Sequence, residues 1–534
     1  MSQLMKWAGS LPLLALCWAP LLMLALYILL DYIRVLRLRR SMPPGPFPWP
    51  LVGNHYQIRL PRPWYYMDEL SKQYDSPLIT LWRGHQPMVI FHDAWSISEV
   101  LDKRAAIYSS RPQMVMLGDS RNASAHDQAV LPYGDVWRQH RRMMHNAVGM
   151  QAVRAHRPFQ DNEVKVMIRD LLQTPEQFVK AIERYSVSVV SCIGFGRRVD
   201  QSDDSVAQMA LTFMEGVDLV IPGLFLMESI PFLLQLPRFI YPLASKVVNN
   251  GRKIVNFFTS VSHEGATASQ PNFSQLLVKE KEAGKLNDEE IAFLTGNLIG
   301  GGVDTTASTT ITFIFAMCIF KDVQRKAREE LDRVVGSDRM PDWSDESRLP
   351  YIQAIVSESL RWRTVTILGG IPHAPIQDDV YENYLIPKGT WIAGNVWSIH
   401  RNPKDFPDPD VFRPERFLDE ARPFPSKKGH SAFGWGRRQC SGQPLAEQGL
   451  FLTMARLLWA FEIKPALDEN GNEEQLDVFA FGTSENMRPL PFKARFLPRS
   501  DQHRDIVLRD GAEAREALRP FDGKSGVQMP ELEI

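Results

Sequence analysis

The sequence predicts a mainly helical fold with small β-sheets and one membrane-spanning helix near its N-terminal end. Residues 11–30 are apolar and carry no charge. Residues 287–290, Asn-Asp-Glu-Glu, start one long run of helical periodicity that covers residues 291–320. Residues 78–82 and 88–91 are rich in β-favouring side chains and flank a turn, which predicts a hairpin. The length of 534 residues suits one large domain together with an anchor.

The apolar run 11–30 predicts a transmembrane anchor. A helix of about 20 residues spans about 30 Å, the thickness of the hydrocarbon core of a bilayer. Only Lys6 precedes the run, whereas arginines follow it at positions 34, 37, 39 and 40. This bias predicts a lumenal segment, 1–10, and a cytoplasmic remainder. A cleaved signal peptide is the alternative, but the run exceeds a typical h-region and the flanking charge lies on the wrong side.

The segment 31–50 links this anchor to the rest of the chain. Its first part is basic and acts as a stop-transfer signal. Its second part, 43–50, is dense in proline, which cannot continue a helix and forms a stiff spacer.

Composition excludes several protein classes. The formal net charge is −1, so no strong field for nucleic acid is expected. The four cysteines are scattered, at positions 17, 192, 318 and 440. This usage suits a reducing compartment rather than a disulfide scaffold.

Periodicity and composition organise the rest of the chain. Helices are predicted at 65–74, from Tyr133 onward, across 160–260, at 321–335 and at 352–363, and a hairpin at 477–496. Residues 105–130 form a long irregular segment, which in a compact domain is usually functional. The apolar run 219–236 is interrupted by Pro222, Gly223 and Pro231, so it is not a second membrane span. The charged segment 497–534 is assigned no function.

One cysteine carries the strongest chemical signal. Cys440 stands between glycines and arginines, just before a predicted helix at 445–458. Nearby cations and helix N-terminal amides favour thiolate over thiol. Glycines let the backbone pass close to a flat ligand. The segment therefore predicts a thiolate presented to a metal, with a buried structural cysteine as the alternative.

The ten residues from Phe433 to Gly442 match every fixed position of the F-x-x-G-x-R-x-C-x-G loop. The chain therefore resembles the cytochrome P450 superfamily, and most of all its microsomal members from filamentous fungi. This resemblance implies the P450 fold, a triangular helical prism with a small β-rich lobe, over residues 51–496. It implies haem b as cofactor, with Cys440 as the axial thiolate ligand of the iron. The haem-binding loop would also supply Phe433, Gly436, Arg438 and Gly442.

Further haem contacts follow from the same resemblance. Trp137 and Arg141 match the W-x-x-x-R pair of the family, whose members hydrogen-bond a haem propionate. His373 resembles a second propionate donor. Taken alone, Trp137 and Arg141 would rather indicate a surface cation–π contact.

Three glycines, 300–302, lie inside the long helical run. Each costs about 1 kcal/mol relative to alanine, which suggests that a ligand lies against the helix there. Residues 301–306 match the family motif [AG]-G-x-[DE]-T-[TS]. By this match Thr305 would hydrogen-bond the dioxygen at the iron, and Asp304 would link the proton path to solvent. A helix face of small packing residues is the alternative.

Three charged residues would form a structural triad. Glu358 and Arg361 have the i, i+3 spacing of a helical ion pair and match E-x-x-R. Arg416 lies in the P-E-R-F motif. In the family the triad is buried and fixes the segment that carries the cysteine loop, whereas isolated exposed pairs contribute little.

The resemblance also implies a substrate pocket whose candidate residues are apolar or small. They are Val115, Met116, Leu117, Phe225, Leu298, Val365, Phe481 and Thr483. The pocket implies a lipophilic small-molecule substrate. The lid segment, defined here as residues 219–236, would touch both the substrate and the surface of the lipid bilayer.

The implied activity is monooxygenation with O2 and two electrons from NADPH, delivered by NADPH–cytochrome P450 reductase, with cytochrome b5 as a further candidate partner. The implied location is the endoplasmic reticulum membrane, in a single pass. A candidate docking face for the reductase is basic, and ordinary solvated charge is its alternative: Arg138, Arg142, Lys427, Lys428 and Arg437.

Several functional alternatives stay open. Within the family, fungal secondary-metabolite biosynthesis is favoured over the oxidation of xenobiotics or lipids. A haem-thiolate isomerase or dehydratase is disfavoured, because Asp304 and Thr305 are both present and such enzymes need no proton relay. A non-catalytic haem-binding protein is the third class.

Overall fold

The computed structural model describes residues 2–117, 126–201, 203–419 and 422–533. Within these residues the fold is mainly helical, as predicted. The α-helices are α1 Ser2–Arg39, α2 Pro63–Gln73, α3 Ala94–Ser98, α4 Ala105–Tyr108, α5 Asp135–Val148, α6 Met150–Ala155, α7 Arg157–Gln173, α8 Phe178–Phe195, α9 Ser205–Glu215, α10 Leu226–Ser229, α11 Pro242–Ala266, α12 Phe273–Glu282, α13 Asp288–Ile319, α14 Lys321–Val334, α15 Pro350–Trp362, α16 Val396–Ile399, α17 Gln443–Ala460 and α18 Asp501–Ala517.

The β-strands are short and form three small sheets. They are β1 Leu78–Arg83, β2 Gln86–Phe91, β3 Asp379–Tyr381, β4 Tyr384–Ile386, β5 Trp391–Gly394, β6 Phe461–Pro465 and β7 Ala494–Pro498. The predicted hairpin is confirmed: β1 and β2 pair antiparallel with Arg83 opposite Gln86, and β5 joins β2 in parallel.

The predicted terminal hairpin at 477–496 is wrong in its pairing. Strand β7 pairs antiparallel with β6, which directly follows α17, rather than with the residues just before it. The only pairing inside 477–496 is a single bridge between Phe481 and Pro489. Around this bridge the N–H of Gly482 donates to the carbonyl of Arg488 and the N–H of Leu490 to that of Ala480, but the prolines at 489 and 491 have no N–H with which to extend the ladder.

The N-terminal helix is longer than the predicted span. Helix α1 continues to Arg39, and its part Trp18–Arg39 is long and apolar enough to cross a membrane. Most of the side chains from Leu21 to Leu30 are exposed, as expected of a lipid-facing helix. The last turns instead contact the rest of the fold, where Val35 is buried and Arg39 donates to the carbonyl of Gly45 at 2.8 Å.

The proline-rich segment is docked rather than free. The N–H of Thr80 on β1 donates to the carbonyl of Pro44 at 2.8 Å. A Cβ on Gly45 would stand 2.0 Å from the Thr80 carbonyl oxygen, so only glycine fits this approach. The segment therefore holds the end of α1 against the first sheet.

Helix α13 runs through the core and organises the fold. Asn287 and Glu290 form a capping box, so the start predicted from the sequence is confirmed. The helix is long and apolar enough to cross a membrane, but most of it is buried against other helices of the protein. Helix α8 and helices α9 and α11 pack along it, which brings the chain on both sides of the lid segment to the same core helix.

The C-terminal extension also has a defined path. Helix α18 packs on α7. The tail after it follows α9 and α11: the Ser205 hydroxyl donates to the carbonyl of Val527, and Ser525 donates to the Glu264 carboxylate. At its end, the Glu533 side chain accepts from Asn249 and from Arg238.

Candidate active site

A cavity of about 300 Å³ lies between α13, α8, α17 and the loop that carries Cys440. Its walls are mainly apolar, with Val189 and Val190 from α8 and Leu445 and Leu450 from α17. Cys440, Thr305 and Arg438 line the same cavity. The fold therefore brings three of the residues singled out in the sequence, far apart along the chain, to one enclosed space.

The cysteine loop is fixed by its own backbone and by its neighbours. The N–H of Cys440 donates to the carbonyl of Phe433 at 2.9 Å, which closes the loop. Gly436 has φ +57° and its Cβ would stand 2.2 Å from the carbonyl oxygen of Leu101, so a side chain is excluded. Its N–H donates to the Asp102 carboxylate at 2.6 Å. These contacts dock the loop on the segment that follows α3.

Trp435 anchors the other side of the loop. A Cβ added to Gly394 would stand 2.4 Å from the buried Trp435 ring, and one added to Gly369 would stand 2.9 Å from it. The ring thus fills space that two glycines leave open, one at the end of β5 and one in the segment after α15. This packing holds Cys440 at a set position relative to the cavity wall.

The environment of the Cys440 sulfur suits a metal ligand. Its accessible surface faces the cavity, whose walls are mainly apolar, so burial raises the pKa of the thiol. The N–H groups of Gly442 and Gln443 and the nearby Arg141 act in the opposite direction and favour the thiolate. A bound cation deprotonates a coordinating thiol outright. The arrangement fits a thiolate ligand with backbone amides directed at its sulfur.

Arg438 is a buried cation on the cavity wall. It donates to three backbone carbonyls, those of Ser109, Gln128 and Leu131, and its guanidinium lies 4.3 Å from the ring centroid of Trp137. Burial lowers the pKa of Arg438 to about 8, and the like charges of Arg111 and Arg141 contribute. No carboxylate contacts Arg438 among the described residues. An anionic group in the cavity would compensate this charge, as a haem propionate would.

Trp137 and Arg141 support the loop from outside the cavity. Trp137 lies against Arg438, and Arg141 donates to the carbonyl of Gln439 at 2.6 Å. Neither residue lines the cavity. Trp137 and Arg141 do not form a cation–π contact with each other. Trp137 instead lies against the guanidinium of Arg438, which belongs to the cysteine loop.

His373 lines the cavity as a neutral ring. Its Nδ1 lies 3.0 Å from the carbonyl oxygen of Tyr108, and a carbonyl only accepts, so Nδ1 carries the proton. Burial first, and then the charges of Arg111 and Arg438, hold the pKa of His373 well below its ordinary value. The remaining nitrogen, Nε2, carries a lone pair in this tautomer and can only accept, so the neutral His373 ring cannot be the propionate donor that the sequence predicted.

Thr305 and Asp304 point to different places. Thr305 lines the cavity, and its hydroxyl donates to the carbonyl of Gly301 at 2.7 Å. Asp304 accepts from the Asn486 amide at 2.8 Å and lies 4.0 Å from the Arg488 guanidinium. The side chains of adjacent helical residues point in directions about 100° apart. Thr305 therefore meets the cavity, whereas Asp304 meets the turn at 484–488.

The three glycines of α13 have different surroundings. A Cβ on Gly302 would stand 2.3 Å from Val190 Cγ1, and one on Gly300 would stand 2.6 Å from a ring carbon of Phe213. These two glycines allow close helix packing. Gly301 lines the cavity, and a Cβ added there would meet no atom within 4 Å. Gly302 also lines the cavity, so both interpretations of the glycine run apply, and Gly302 meets both.

The proposed pocket residues are divided among several places. Leu298 and Val365 line the cavity. Val115, Met116 and Phe225 do not; they form a separate apolar cluster around Met227 in the lid segment. This cluster is closed by a buried ion pair, because Glu228 lies 2.8 Å from Arg83 and accepts from the N–H groups at 115 and 116.

The other three pocket candidates also lie away from the cavity lining. Leu117 packs against the main core. Phe481 stacks edge-on against Phe315 and Trp362, and Thr483 is exposed. Sequence spacing could not indicate which of these side chains line the cavity, because the direction of each depends on the conformation of the turn that carries it.

The charged triad is assembled and buried. Glu358 accepts from Arg361 at 2.6 Å and from Arg416 at 3.2 Å, and the side chains are 0–3% exposed. Arg361 also donates to the carbonyls of His400 and Pro409, and the N–H of Arg413 donates to Glu358. The network ties α15 to the segment that precedes the cysteine loop.

Several cavity residues were not singled out from the sequence, and two polar ones among them are Arg111 and Asn297. Arg111 lines the cavity and donates to the carbonyls of Ala129 and Ile371, and burial lowers its pKa to about 9. Asn297 lines the cavity one turn before Gly301. Arg111 lies in the irregular segment 105–130 and Asn297 in the long helical run 291–320, but neither belongs to a motif, and a helical-wheel count back from Gly301 is the signal that could have indicated Asn297.

Comparison with known proteins gives a consistent result. A family model described as Cytochrome P450 matches residues 43–487. Cytochrome P450 monooxygenase 105 of Postia placenta is 36% identical over 502 residues, which cover 91% of this chain and 94% of the relative. Cytochrome P450 monooxygenase fogE of Aspergillus ruber is 33% identical over 501 residues, covering 91% of each chain. Cytochrome P450 monooxygenase virE of Hypocrea virens is 34% identical over 488 residues, which cover 88% of this chain and 88% of the relative.

Proposed function

The chain belongs to the cytochrome P450 family, and from that premise we propose that it is a membrane-anchored haem-thiolate monooxygenase that hydroxylates or otherwise oxidises a lipophilic small molecule. One observation carries the proposal: Cys440 and Thr305 line the same largely apolar cavity. A thiolate ligand and a proton-bearing hydroxyl are the two groups that this chemistry requires from the protein.

The residues present fit haem b. Cys440 would be the axial ligand, with Phe433, Gly436 and Gly442 shaping the loop, and the open space beside Gly301 would admit a flat ring. The cationic side chains that would hold the propionates are Arg438 and Arg111 in the cavity wall, supported by Trp137 and Arg141 behind the cysteine loop. When bound, haem b supplies the activation of O2 for insertion of one oxygen atom into the substrate.

The protein itself supplies proton control and a water-excluding site. Thr305 holds its hydroxyl at the cavity surface, with its hydrogen directed at the Gly301 carbonyl and its lone pairs free to accept. Asp304, Asn486 and Arg488 would connect this region to solvent. The apolar walls from α8 and α17 exclude bulk water, which strengthens the polar interactions inside.

Electrons would come from NADPH through cytochrome P450 reductase, with cytochrome b5 as a further candidate donor. The exposed Arg142, Lys427 and Lys428 support a basic docking face. Arg138 and Arg437 both lie over the ring of Tyr133, at 5.3 and 5.1 Å, which joins this face to the cysteine loop. An acidic surface of the reductase would complement it.

The proposed location is the endoplasmic reticulum membrane, with the catalytic domain 51–496 in the cytoplasm. The candidate span Trp18–Arg39 and the arginines around its end support this orientation. Exposed apolar side chains next to and within the lid segment, Phe232, Phe239 and Ile240, support a second contact with the bilayer. The named fungal relatives support a fungal role, which we propose to be secondary-metabolite biosynthesis.

The reduced, CO-bound absorption spectrum tests the haem-thiolate assignment. A membrane fraction holding the wild type should show the strongly red-shifted Soret band of a thiolate-ligated haem, and Cys440→Ser should lose it. A matched control is Cys192→Ser, because Cys192 is buried at a distance from the cavity and should keep the band. A folded, haem-loaded wild type without the shift would overturn the assignment.

A further inference from the structure

Asn297 presents a fixed hydrogen-bond acceptor to the cavity. Its Nδ2 donates to the Asp127 carboxylate at 2.8 Å and to the carbonyl of Phe293 at 2.8 Å. A carbonyl can only accept, so the atom that contacts Phe293 must be the nitrogen, and the amide is not flipped. Both amide hydrogens are therefore used, and among the described residues no donor contacts Oδ1.

The orientation of this amide is held from two directions. The Asp127 oxygen that accepts from Asn297 also accepts from the N–H of Ala129 at 2.8 Å, and Asp127 itself is buried. The same oxygen therefore receives two donors whichever protonation state the carboxyl adopts, since a proton would reside on the other oxygen. The amide cannot rotate without breaking both of its bonds.

Three hydroxyls of the cavity lining have committed their hydrogens. The hydroxyls of Thr305, Thr309 and Thr364 each donate to a backbone carbonyl four residues earlier. Hydroxyls can rotate and act as donor or acceptor, whereas an amide oxygen only accepts. Asn297 is thus a cavity group that discriminates between a ligand with a donor and one without; the other fixed acceptor, Nε2 of His373, lies on a different element from α13.

The position of Asn297 also sets a length. Asn297, Gly301 and Thr305 recur every four residues on α13, and all line the cavity. At about 1.5 Å per residue, Asn297 lies about 12 Å along the axis from Thr305. A ligand lying along this helix would place one end near each residue.

Resting on the proposed function, we propose that Asn297 is a specificity-determining residue that accepts a hydrogen bond from a hydroxyl or N–H group of the substrate. The substrate is then an elongated lipophilic molecule with a donor at one end, oxidised toward the other end. A buried acceptor left unpaired costs free energy, so the site selects against an analogue that lacks the donor.

The test compares three probes of similar shape: 4-hydroxybiphenyl, 4-methoxybiphenyl and biphenyl. Their dissociation constants are measured for the full-length holoenzyme by the spectral shift on binding and by equilibrium dialysis. The methoxy compound keeps the oxygen but cannot donate. In the wild type we expect the hydroxy compound to bind about two- to tenfold more tightly than the methoxy compound, the range for one neutral hydrogen bond.

The variants assign this preference to one side chain. In Asn297→Leu the ratio of the methoxy to the hydroxy dissociation constant should fall by the same two- to tenfold. In Thr306→Val, which removes a hydroxyl from the same wall, and in Val365→Ala, which changes only apolar contacts, the ratio should stay as in the wild type. Taking ratios cancels effects common to all three probes.

Several results would overturn the inference. Equal binding of the hydroxy and methoxy probes by the wild type would do so, and this comparison needs no variant to fold. An unchanged ratio in a folded Asn297→Leu protein, or failure of all three probes to bind the wild type, would also do so. Since the CO-bound spectrum is recorded on the same preparations, loss of this inference is distinguishable from loss of the haem-thiolate assignment.

Discussion

The hydroxyl of Thr305 donates a hydrogen bond to the carbonyl oxygen of Gly301, 2.7 Å away and one helical turn earlier. Both residues line the cavity that Cys440 also lines. The bond ties a proton-bearing group to the one glycine of the run whose Cβ position is open. Thr305 is therefore held at the cavity surface, rather than turned into the helix packing.

Replacing Thr305 separates proton control from haem binding. We expect Thr305→Val to keep the CO-bound Soret band and to lose product formation by about 100-fold, the typical contribution of a positioned proton-transfer group. Thr305→Ser keeps the hydroxyl and should retain most of the activity. Product formed per NADPH consumed is the measurement, and wild-type behaviour of Thr305→Val would contradict the assigned role.

The neighbouring glycines predict opposite outcomes for one added methyl group. Gly302→Ala should lower the yield of folded protein, because the new Cβ would meet Val190 Cγ1 at 2.3 Å. Gly301→Ala should fold at least as well, because alanine favours a helix by about 1 kcal/mol and meets no atom within 4 Å. Thermal unfolding of each purified variant gives the comparison. Greater loss in Gly301→Ala than in Gly302→Ala would show that the packing is misassigned.

The buried triad should be strongly coupled to stability. Glu358→Gln removes the negative charge between Arg361 and Arg416 and leaves two buried cations without a counter-charge. We expect a loss of about 3–5 kcal/mol in the free energy of unfolding. The exposed pair of Glu329 and Arg325 provides the matched control, since Glu329→Gln should change little. Chemical denaturation followed by circular dichroism measures both, and equal effects would argue against the burial.

Glu485 predicts a defined pH dependence of stability. Burial raises its pKa to about 8 from an ordinary 4.5, Asp218 adds to the rise, and the N–H groups of Leu368 and Gly370 oppose it. Between these two values the folded protein holds a proton that the unfolded chain has released. The free energy of unfolding therefore falls as pH rises through this window, by about 1.4 kcal/mol per pKa unit, and this contribution is flat above it.

Unfolding at pH 5, 6.5 and 8.5 measures this contribution. Glu485→Gln stays neutral, so the stability of the wild type relative to this variant should decline from pH 5 to pH 8.5. Glu469→Gln, at an exposed carboxylate, should follow the wild type. Parallel curves for the wild type and Glu485→Gln would contradict the prediction.

The C-terminal tail should restrain the lid segment. Deleting residues 523–534 removes the contacts with Ser205, Glu264, Asn249 and Arg238 on both sides of that segment. We expect amide exchange in residues 219–236 to become at least about tenfold faster, since several hydrogen bonds of about 1 kcal/mol each are lost. Hydrogen-exchange mass spectrometry measures it, with Lys524→Ala as the control. Unchanged exchange would show that the tail does not restrain the lid segment.

Much of the fold and of the site could be predicted locally. The hairpin of β1 and β2 follows from two runs of β-favouring residues around a turn, and the start of α13 from Asn287 and Glu290. The cysteine loop was recognisable because its glycines and Cys440 meet backbone constraints within ten residues. The pairing of β7 with β6 was missed, because strands separated by about thirty residues carry no local mark of their partner.

Short-range patterns in the chain were enough to define the class of the protein: the anchor, the central helix, the position of the thiolate and the motif of the proton-bearing threonine. They were enough because hydrogen bonding within a helix or a loop depends on neighbours along the chain. Which side chains reach the cavity depended instead on long-range packing. Arg111 and Asn297 arrive there because α13 packs against a loop nearly two hundred residues earlier, and Val115 and Phe225 leave it because the Arg83–Glu228 pair gathers them elsewhere. Such placement comes from close packing and buried charge between distant segments, which no local pattern encodes.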